Sequence, residues 1–287
     1  MPEIPRPSVT SAGVAPPPSS VPTALQGALV CSNIMAVASG KGGVGKTWFS
    51  ITLCHALAQQ GKKVLLFDAD FGLANVDVQL GLTPGRDLGH VLAGACTLKE
   101  ALFTYVTGGF TILPGRSGSG GLASLSAKVL EQLRAEVFAL APQYDLVVMD
   151  LGAGLDQAVR SLALAAGLVS VIVTEEPTSL TDAYAFIKLT HAANPTADVR
   201  VVVNQAAAAE LGRRTYETLQ NVCTTFLNKN PPLLGIVRDD SHVRESIRLQ
   251  TPLLERFPSS RAASDVESVA RTLSQMFPQD KLPIKPS

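Results

Sequence analysis

Short apolar runs alternate along this chain with longer segments that carry apolar residues at three- and four-residue spacing. The runs are nearly all apolar, without the alternation of a half-exposed strand, which is typical of strands covered on both faces. They predict strands at Ile34–Ser39, Lys63–Asp68, Phe110–Leu113, Tyr144–Asp150, Leu168–Thr174, Val199–Asn204 and Leu233–Val237.

Helix-length segments separate these runs. In Ser124–Ala141, for example, the residues Leu125, Val129, Leu133 and Val137 fall on one helical face. Strands that alternate with helices are the sequence form of repeated βαβ units. The pattern therefore predicts an α/β fold, with a mainly parallel, doubly wound sheet and helices on both faces, in a single domain.

Composition sets the boundaries of that domain. The chain has 287 residues, of which 46% are hydrophobic, which is enough for one large core. Residues 1–30 are rich in proline, serine and threonine and cannot bury enough apolar area to offset the entropy of ordering. We therefore predict a disordered tail over 1–30, one folded domain over 31–279 and a short C-terminal tail over 280–287.

Charge and cysteine content indicate the partners and the cellular location of the protein. Lys plus Arg and Asp plus Glu are 24 each, so no overall field attracts nucleic acid or an anionic membrane. The start of the chain lacks the basic and apolar regions of a signal peptide. The cysteines lie far apart, without metal-ligand spacing. We expect reduced thiols, a cytoplasmic location, no nucleic-acid partner and no stable membrane anchor.

A glycine-rich segment follows the first predicted strand and matches the pattern G-x-x-x-x-G-K-[ST]. In such a loop, backbone amides surround phosphate oxygens, the lysine neutralises the β- and γ-phosphates, and the hydroxyl binds Mg²⁺. The alternative is a glycine-rich turn without a ligand. We predict that ATP or ADP with Mg²⁺ is bound by Gly40, Lys41, Gly42, Gly43, Val44, Gly45, Lys46 and Thr47.

Carboxylates stand at the ends of two further predicted strands. Asp68, Asp70 and Asp77 follow the second strand, and Asp150 ends another before a loop with Gly152 and Gly154. Ligands bind at this edge of parallel sheets. We interpret Asp150 as a Walker B acid that holds Mg²⁺ through a water, with helix-capping acids and an ordinary βα turn as the alternatives.

Lys41 is a second lysine inside the loop, which would crowd Lys46 at the same phosphates. Here the sequence resembles the MinD/ParA superfamily of deviant Walker A ATPases, in which this lysine reaches the partner's ATP across a dimer. The resemblance implies an ATP-dependent homodimer with Lys41, Lys46 and Asp70 as catalytic residues. It also implies that Asp70 orients the attacking water, that Asn75 senses the γ-phosphate, and that Asp68 lies near the metal, beside Thr47 and Asp150.

The same resemblance implies an adenine pocket in the last third of the chain. Asn204, at the end of a strand, matches the family's adenine-reading asparagine, with a strand-end turn as the alternative. Gly235–Asp240 matches its adenine-contact loop, although Arg238 replaces the usual proline. Arg238 and Asp240 are therefore predicted to contact the base, with the guanidinium stacked on the ring.

Asp70–Leu82 and Glu176–Tyr184 resemble the flagellar-number regulators, FlhG/FleN, within this superfamily, and the likeness spans about residues 33–277. It implies a switch for spatial or numerical control of the flagellum, with partners in flagellar assembly or polar localisation. The last helical pattern carries Asp265 and Glu267 against Arg271 and is expected to pack on its own domain. Peripheral contact with the inner membrane stays open.

Two other functions stay open at this point. A ParA-type partition ATPase would bind DNA phosphates, for which Arg238, Arg244 and Arg248 are the candidates, with a solvated mixed face as the alternative. An ATP-dependent biosynthetic ligase or amidase on the same fold would need a pocket for a small substrate, and no motif indicates one.

Overall fold

A computed structural model describes residues 30–115 and 126–278. The predicted tails therefore lie outside the described residues, apart from Val30, as do Ser124 and Leu125 of the predicted helix. The strands are β1 (Cys31–Ser39), β2 (Val64–Ala69), β3 (Phe103–Tyr105), β4 (Phe110–Leu113), β5 (Leu146–Ala153), β6 (Ala166–Val173), β7 (Val199–Ala206) and β8 (Leu233–Arg238). The helices are α1 (Lys46–Gln59), α2 (Val76–Leu80), α3 (Leu88–Leu92), α4 (Ala127–Leu140), α5 (Gln157–Ala165), α6 (Pro177–Ala193), α7 (Ala209–Leu227), α8 (Ser241–Arg248), α9 (Leu253–Arg256) and α10 (Arg261–Met276).

These strands form one sheet in the order β3-β4-β2-β5-β1-β6-β7-β8. All pairings are parallel except that of β3 with β4. The chain leaves central β1 toward one side to form β2–β4 and reaches the other side through β6–β8. The carboxyl ends of β1, β2 and β5 therefore meet at one edge, where ligands of such sheets bind.

Two apolar layers cover the sheet, which confirms the predicted helices on both faces. Along β1, Ile34, Ala36 and Ala38 face the layer that includes α4–α7, while Met35 and Val37 face the layer that includes α1, α9 and α10. Successive strand residues point to opposite faces, so both sets are buried because both faces are covered.

The last helix packs on its own domain, as expected. Val266, Val269 and Leu273 of α10 are at most 1% exposed. They lie in the same layer as α1, and the Lys62 ammonium on the chain after α1 donates to the Phe277 carbonyl at 2.9 Å. Across the described ranges, no helix is both long and apolar enough to span a bilayer.

Strand β3 is the element that the sequence pattern missed. It has three residues, with Thr104 exposed between Phe103 and Tyr105, and it pairs antiparallel with β4 at the sheet edge. A run this short and interrupted by a polar residue carries too little periodicity to stand out. The turn that joins it to β4 depends on Gly109, whose φ is +69°.

Candidate nucleotide-binding site

The glycine-rich loop leaves β1 and enters α1 at Lys46, as a phosphate-binding loop requires. Gly43 and Gly45 have φ values of +79° and +87°, which glycine adopts without strain. A Cβ on Gly45 would also lie 2.4 Å from Asn204 Nδ2. The loop therefore needs glycine there for both its conformation and its packing.

Lys46 lies buried beneath the loop. Its ammonium donates to Ser39 Oγ at 3.0 Å, and Ser39 Oγ in turn donates to the Lys41 carbonyl at 2.6 Å. Burial lowers the pKa of Lys46, and the nearby carboxylates of Asp150 and Asp70 partly offset that effect. The hydrogen bond to Ser39, the last residue of β1, therefore fixes the position of the buried Lys46 ammonium.

Two buried acids stand at this edge of the sheet, on β2 and β5. Asp68 and Asp150 are each 1% exposed and are register partners on the paired strands. Burial and the proximity of Asp150 raise the pKa of Asp68 to about 8, and burial raises the pKa of Asp150 to about 6. Hydrogen bonds from the Thr47 and Ser50 hydroxyls and the charge of Lys46 limit the rise at Asp150. Two carboxyls so close together favour a cation between or beside them.

These residues fit a magnesium nucleotide. Thr47, Asp150 and Ser50 place oxygen atoms beside the loop, and Mg²⁺ prefers oxygen ligands together with substrate phosphates and waters. Within residues 30–115 and 126–278, no group of three or more His, Cys, Asp or Glu side chains could hold a metal ion by itself.

Asp70, predicted to orient the attacking water, lies just after β2. Its Oδ1 accepts the Gly72 and Leu73 amides at 3.1 and 2.9 Å, and a Cβ on Gly152 would lie 3.3 Å from the same atom. The Asp70 carboxylate therefore lies between the loop that follows β2 and the glycine-containing end of β5. Asp68 Oδ2 accepts the amides of Asn75 and Val76, both at 3.0 Å, which fixes the start of α2.

Asn75 precedes α2 and accepts a long hydrogen bond of 3.4 Å from Gln79 Nε2. Asp77 lies in the first turn of α2, and its Oδ1 accepts the Val78 amide at 2.8 Å.

Lys41 does not point toward the loop's own phosphate cradle. Its ammonium donates to Thr178 Oγ1 at 2.8 Å and forms an ion pair with Glu176, both at the start of α6. Sequence reasoning missed Glu176, Thr178, Ser39 and Ser50 as contacts of the loop and its acids. Ser50 lies one helical turn after Lys46, which is a visible spacing, whereas no local pattern links residue 41 to residue 176.

The residues predicted to read the base are engaged with protein groups. Asn204 is 3% exposed, and its Nδ2 donates to the Val44 carbonyl at 2.8 Å, so it supports the glycine-rich loop. Arg238 forms a two-pronged ion pair with Asp265 of α10, at 2.8 Å for both nitrogens. These hydrogen bonds hold the edge of the guanidinium against α10.

Asp240 caps two helices. It accepts the His242 amide and imidazole at 3.0 and 2.8 Å and the Ala262 amide at 3.3 Å. Burial acts to raise the pKa of Asp240, but these donors hold it below its ordinary value. Asp240 thus has a structural role at the start of α8 and α10.

Comparison with known proteins agrees with this geometry. The model of the CobQ/CobB/MinD/ParA nucleotide-binding domain matches residues 35–253, which include the glycine-rich loop, both buried acids and most of the sheet. The chain belongs to this family. The match covers well over half of the chain, and this is a family of nucleotide-binding domains.

Individual members of the MinD/ParA family extend the comparison. The chain is 40% identical over 238 residues to the antiactivator FleN of Pseudomonas aeruginosa, covering 83% of this chain and 85% of that protein. It is 32% identical to the flagellum site-determining protein YlxH of Helicobacter pylori, covering 84% and 82% respectively. The septum site-determining protein MinD of Pyrococcus horikoshii, solved with Mg-ADP, superposes with a TM-score of 0.73 at 26% identity, covering 85% of this chain and 96% of that one.

Proposed function

We propose that this chain is an Mg²⁺-dependent ATPase that dimerises around ATP and regulates the number or position of flagella. The observation that carries the ATPase assignment is the group of ionic residues at the glycine-rich loop. Lys46, Asp68 and Asp150 are all buried there, where a triphosphate with its metal would complete the charge balance. The flagellar assignment is supported by the likeness to FleN and YlxH.

The residues around the glycine-rich loop each have one task in the proposed hydrolysis. The loop amides and Lys46 hold the β- and γ-phosphates, and Thr47 and Asp150 orient the metal side of the site. Mg²⁺, when bound, neutralises charge between the β- and γ-phosphates. Asp70 aligns the attacking water, and Lys41 of one subunit adds positive charge at the ATP of the other, where charge accumulates in the transition state.

Separate variants test ATP-dependent dimerisation and ATP hydrolysis. Lys41→Ala should bind ATP, remain monomeric and hydrolyse almost nothing. Asp70→Ala should bind ATP, accumulate as a dimer and hydrolyse about a hundredfold or more slowly, the scale of a removed catalytic group. Light scattering after size exclusion, with ATP and with ADP, and phosphate release measure both properties.

Lys128→Ala, an exposed lysine on α4, is the control for the loss of a positive charge. Asp70→Asn preserves shape at Asp70 and should resemble Asp70→Ala. Normal ATP-dependent dimers of Lys41→Ala, or monomers of Asp70→Ala with ATP, would show that the dimer switch is wrong.

The partition function predicts strong ATP-dependent DNA binding. The structure offers little support for it, because Arg238 pairs with Asp265 and Arg244 lies 3.4 Å from Asp239. Filter binding at moderate salt should show weak retention, and vesicle cosedimentation should show weak lipid binding. Strong ATP-dependent DNA retention would favour the partition ATPase instead.

In the organism that carries this chain, deletion of its gene should change the count or placement of flagella in electron micrographs. The protein should lie in the cytoplasm or at the pole, peripheral to the inner membrane. Unchanged flagella would contradict the flagellar assignment and leave the ATPase assignment intact.

A further inference from the structure

A small cavity lies between the helix that follows the glycine-rich loop and the helix that follows Asn75. It has a volume of about 10 Å³, and its walls come from α1, α2, α8 and the chain that leads into α9. Trp48 of α1 and Gln79 of α2 both line it. A volume of this size holds about one water molecule. The side chains of α1 and α2 thus border one cavity of the size of a single water.

The cavity brings together one unpaired donor and one unpaired acceptor. Within the described residues, Trp48 Nε1 and Gln79 Oε1 are both buried and have no hydrogen-bond partner. Trp48 is 5% exposed, so its indole N–H has no access to bulk water. A buried polar group without a partner costs free energy, and a hydrogen bond between these two atoms would remove both costs. The two groups are therefore complementary but are not joined in this conformation.

The other end of the Gln79 carboxamide points to the nucleotide-binding edge. Gln79 Nε2 donates to Asn75 Oδ1 at 3.4 Å, which is long for a hydrogen bond. The Asn75 backbone amide in turn donates to Asp68, one of the two buried acids. Trp48 directly follows Thr47, the hydroxyl residue of the glycine-rich loop. Gln79 therefore lies between a residue beside the acids and a residue beside the loop.

We propose that Gln79 is a positioning residue that changes its hydrogen-bond partner from Asn75 to Trp48 when ATP binds. This inference rests on the proposed ATP site and on the predicted contact of Asn75 with the γ-phosphate. When Asn75 turns toward the phosphate, its long hydrogen bond to Gln79 breaks, and Gln79 Oε1 accepts the indole N–H of Trp48. The new bond joins α2 to α1 only while a γ-phosphate is present. It stabilises the ATP-bound state relative to the ADP-bound state.

The exchange of partners has a predictable size. The hydrogen bond that breaks is weak because it is long, whereas the one that forms satisfies two buried atoms. The net gain is about one hydrogen bond, which corresponds to about fivefold in affinity. ADP has no γ-phosphate, so its affinity should not depend on Gln79. The ratio of ATP to ADP affinity, and not nucleotide binding in general, should therefore depend on this residue.

The indole proton of Trp48 reports the new bond directly. Trp48 is the only tryptophan of the chain, so the isotope-labelled full-length protein gives one indole peak in a nitrogen–proton correlation spectrum. A hydrogen-bonded indole proton resonates downfield of a free one. We expect the peak to lie upfield without nucleotide and with Mg-ADP, and to move downfield with Mg²⁺ and a slowly hydrolysed ATP analogue. In Gln79→Met, which keeps the length of the side chain without its amide, the peak should not move.

Two results of this measurement would overturn the proposal. A peak that lies equally far downfield in all three states would show a fixed water bridge between Trp48 and Gln79. A peak that moves alike in wild type and in Gln79→Met would show a general effect of ATP on α1.

Isothermal titration of the same proteins tests the energetic consequence. Gln79→Met should bind the ATP analogue about fivefold more weakly than wild type and should bind ADP equally well. Trp48→Phe removes the donor and should give the same loss. The double variant should lose no more than either single one, because the two side chains act through one bond. Additive losses, or an equal loss for ADP, would contradict the exchange.

Gln59→Met is the matched control, because Gln59 likewise contacts the residue four positions before it, His55, at 3.4 Å, but lies at the far end of α1. It should change neither the indole peak nor the affinities. A wild type that binds neither nucleotide would overturn the proposed ATP site. A wild type that binds the ATP analogue tightly while its indole peak stays in place would overturn only the exchange at Gln79.

Discussion

The two ends of the sheet's carboxyl edge differ in how their polar residues are satisfied. Near β1, β2 and β5, the charged groups Lys46, Asp68 and Asp150 each have hydrogen bonds to protein atoms, yet burial still shifts the pKa of each toward its neutral form. Near β7 and β8, Asn204, Arg238 and Asp240 have well-formed hydrogen bonds to protein atoms at 2.8–3.0 Å.

This contrast distinguishes buried charged groups that a bound ligand would stabilise from groups whose hydrogen bonds stabilise the fold. Buried ionic groups without full compensation are costly, and a bound nucleotide with its metal would remove that cost. Fully bonded groups gain nothing from a ligand unless they first break a contact. Substitutions at the first end should therefore affect binding directly, and substitutions at the second end should affect stability or the support of the glycine-rich loop.

The largest expected effect belongs to the phosphate end. Lys46→Ala removes the buried cation that meets the β- and γ-phosphates, so ATP affinity should fall at least a hundredfold, or about 3 kcal/mol. Isothermal titration measures it. Lys41→Ala, which removes a lysine that faces α6 instead, should bind ATP normally, and equal losses in both variants would abolish the distinction between the two lysines.

The second effect is a pH dependence of stability. The folded-state pKa values of about 8 for Asp68 and about 6 for Asp150 lie above the ordinary value of 3.8. The folded chain thus binds these protons more tightly than the unfolded chain. This tighter binding stabilises the folded chain fully below 3.8, the pKa of these carboxyls in the unfolded chain. The stabilisation is lost as pH rises through 6 and then through 8. The Tm of the nucleotide-free protein should fall across that window.

Asp68→Asn should flatten this fall, because its side chain stays neutral at every pH. Mg-ADP should raise the Tm of wild type more at pH 8 than at pH 6, since ionised carboxyls suit the cation. Scanning calorimetry in buffers of matched ionic strength provides both tests, and a Tm that rises from pH 6 to pH 8 would contradict the assignment of these acids.

The third effect decides what Asn204 does. Asn204→Ala removes the hydrogen bond to the Val44 carbonyl, and a looser loop should bind ATP and GTP about fivefold more weakly each, the size of one hydrogen bond. A direct adenine contact would instead weaken ATP alone. Fluorescence titration with both nucleotides distinguishes loop support from base recognition.

The smallest effect is at the ion pair between β8 and α10. Arg238→Ala should lower stability by about 1 kcal/mol, because the pair is partly exposed, and should shift Tm by about 2–4 °C. ATP affinity should stay within about twofold. A larger loss of affinity, without a comparable loss in Asp265→Ala, would support the predicted contact between Arg238 and the base.

Much of the fold could be predicted because its signals are local. The run at residues 110–113 was bounded correctly, and the other predicted strands differ from the observed ones by a few residues at their ends. The glycine-rich loop and the acids at 68, 70 and 150 could be proposed from the sequence because each lies at the end of its own apolar strand, where the local pattern is visible. The short β3 was missed because edge pairing, and not its own sequence, stabilises it.

By itself, the sequence determined which residues carry charge, which strands are covered on both faces, and that a phosphate-binding loop joins the first strand to the first helix. Only the tertiary structure decided the partners of those charges. Lys41 meets Glu176, Asn204 meets Val44, and Arg238 meets Asp265 across separations along the chain that leave no local pattern. Hydrogen bonds and ion pairs act over a few ångströms, so the packing of strands and helices determines which groups come within reach.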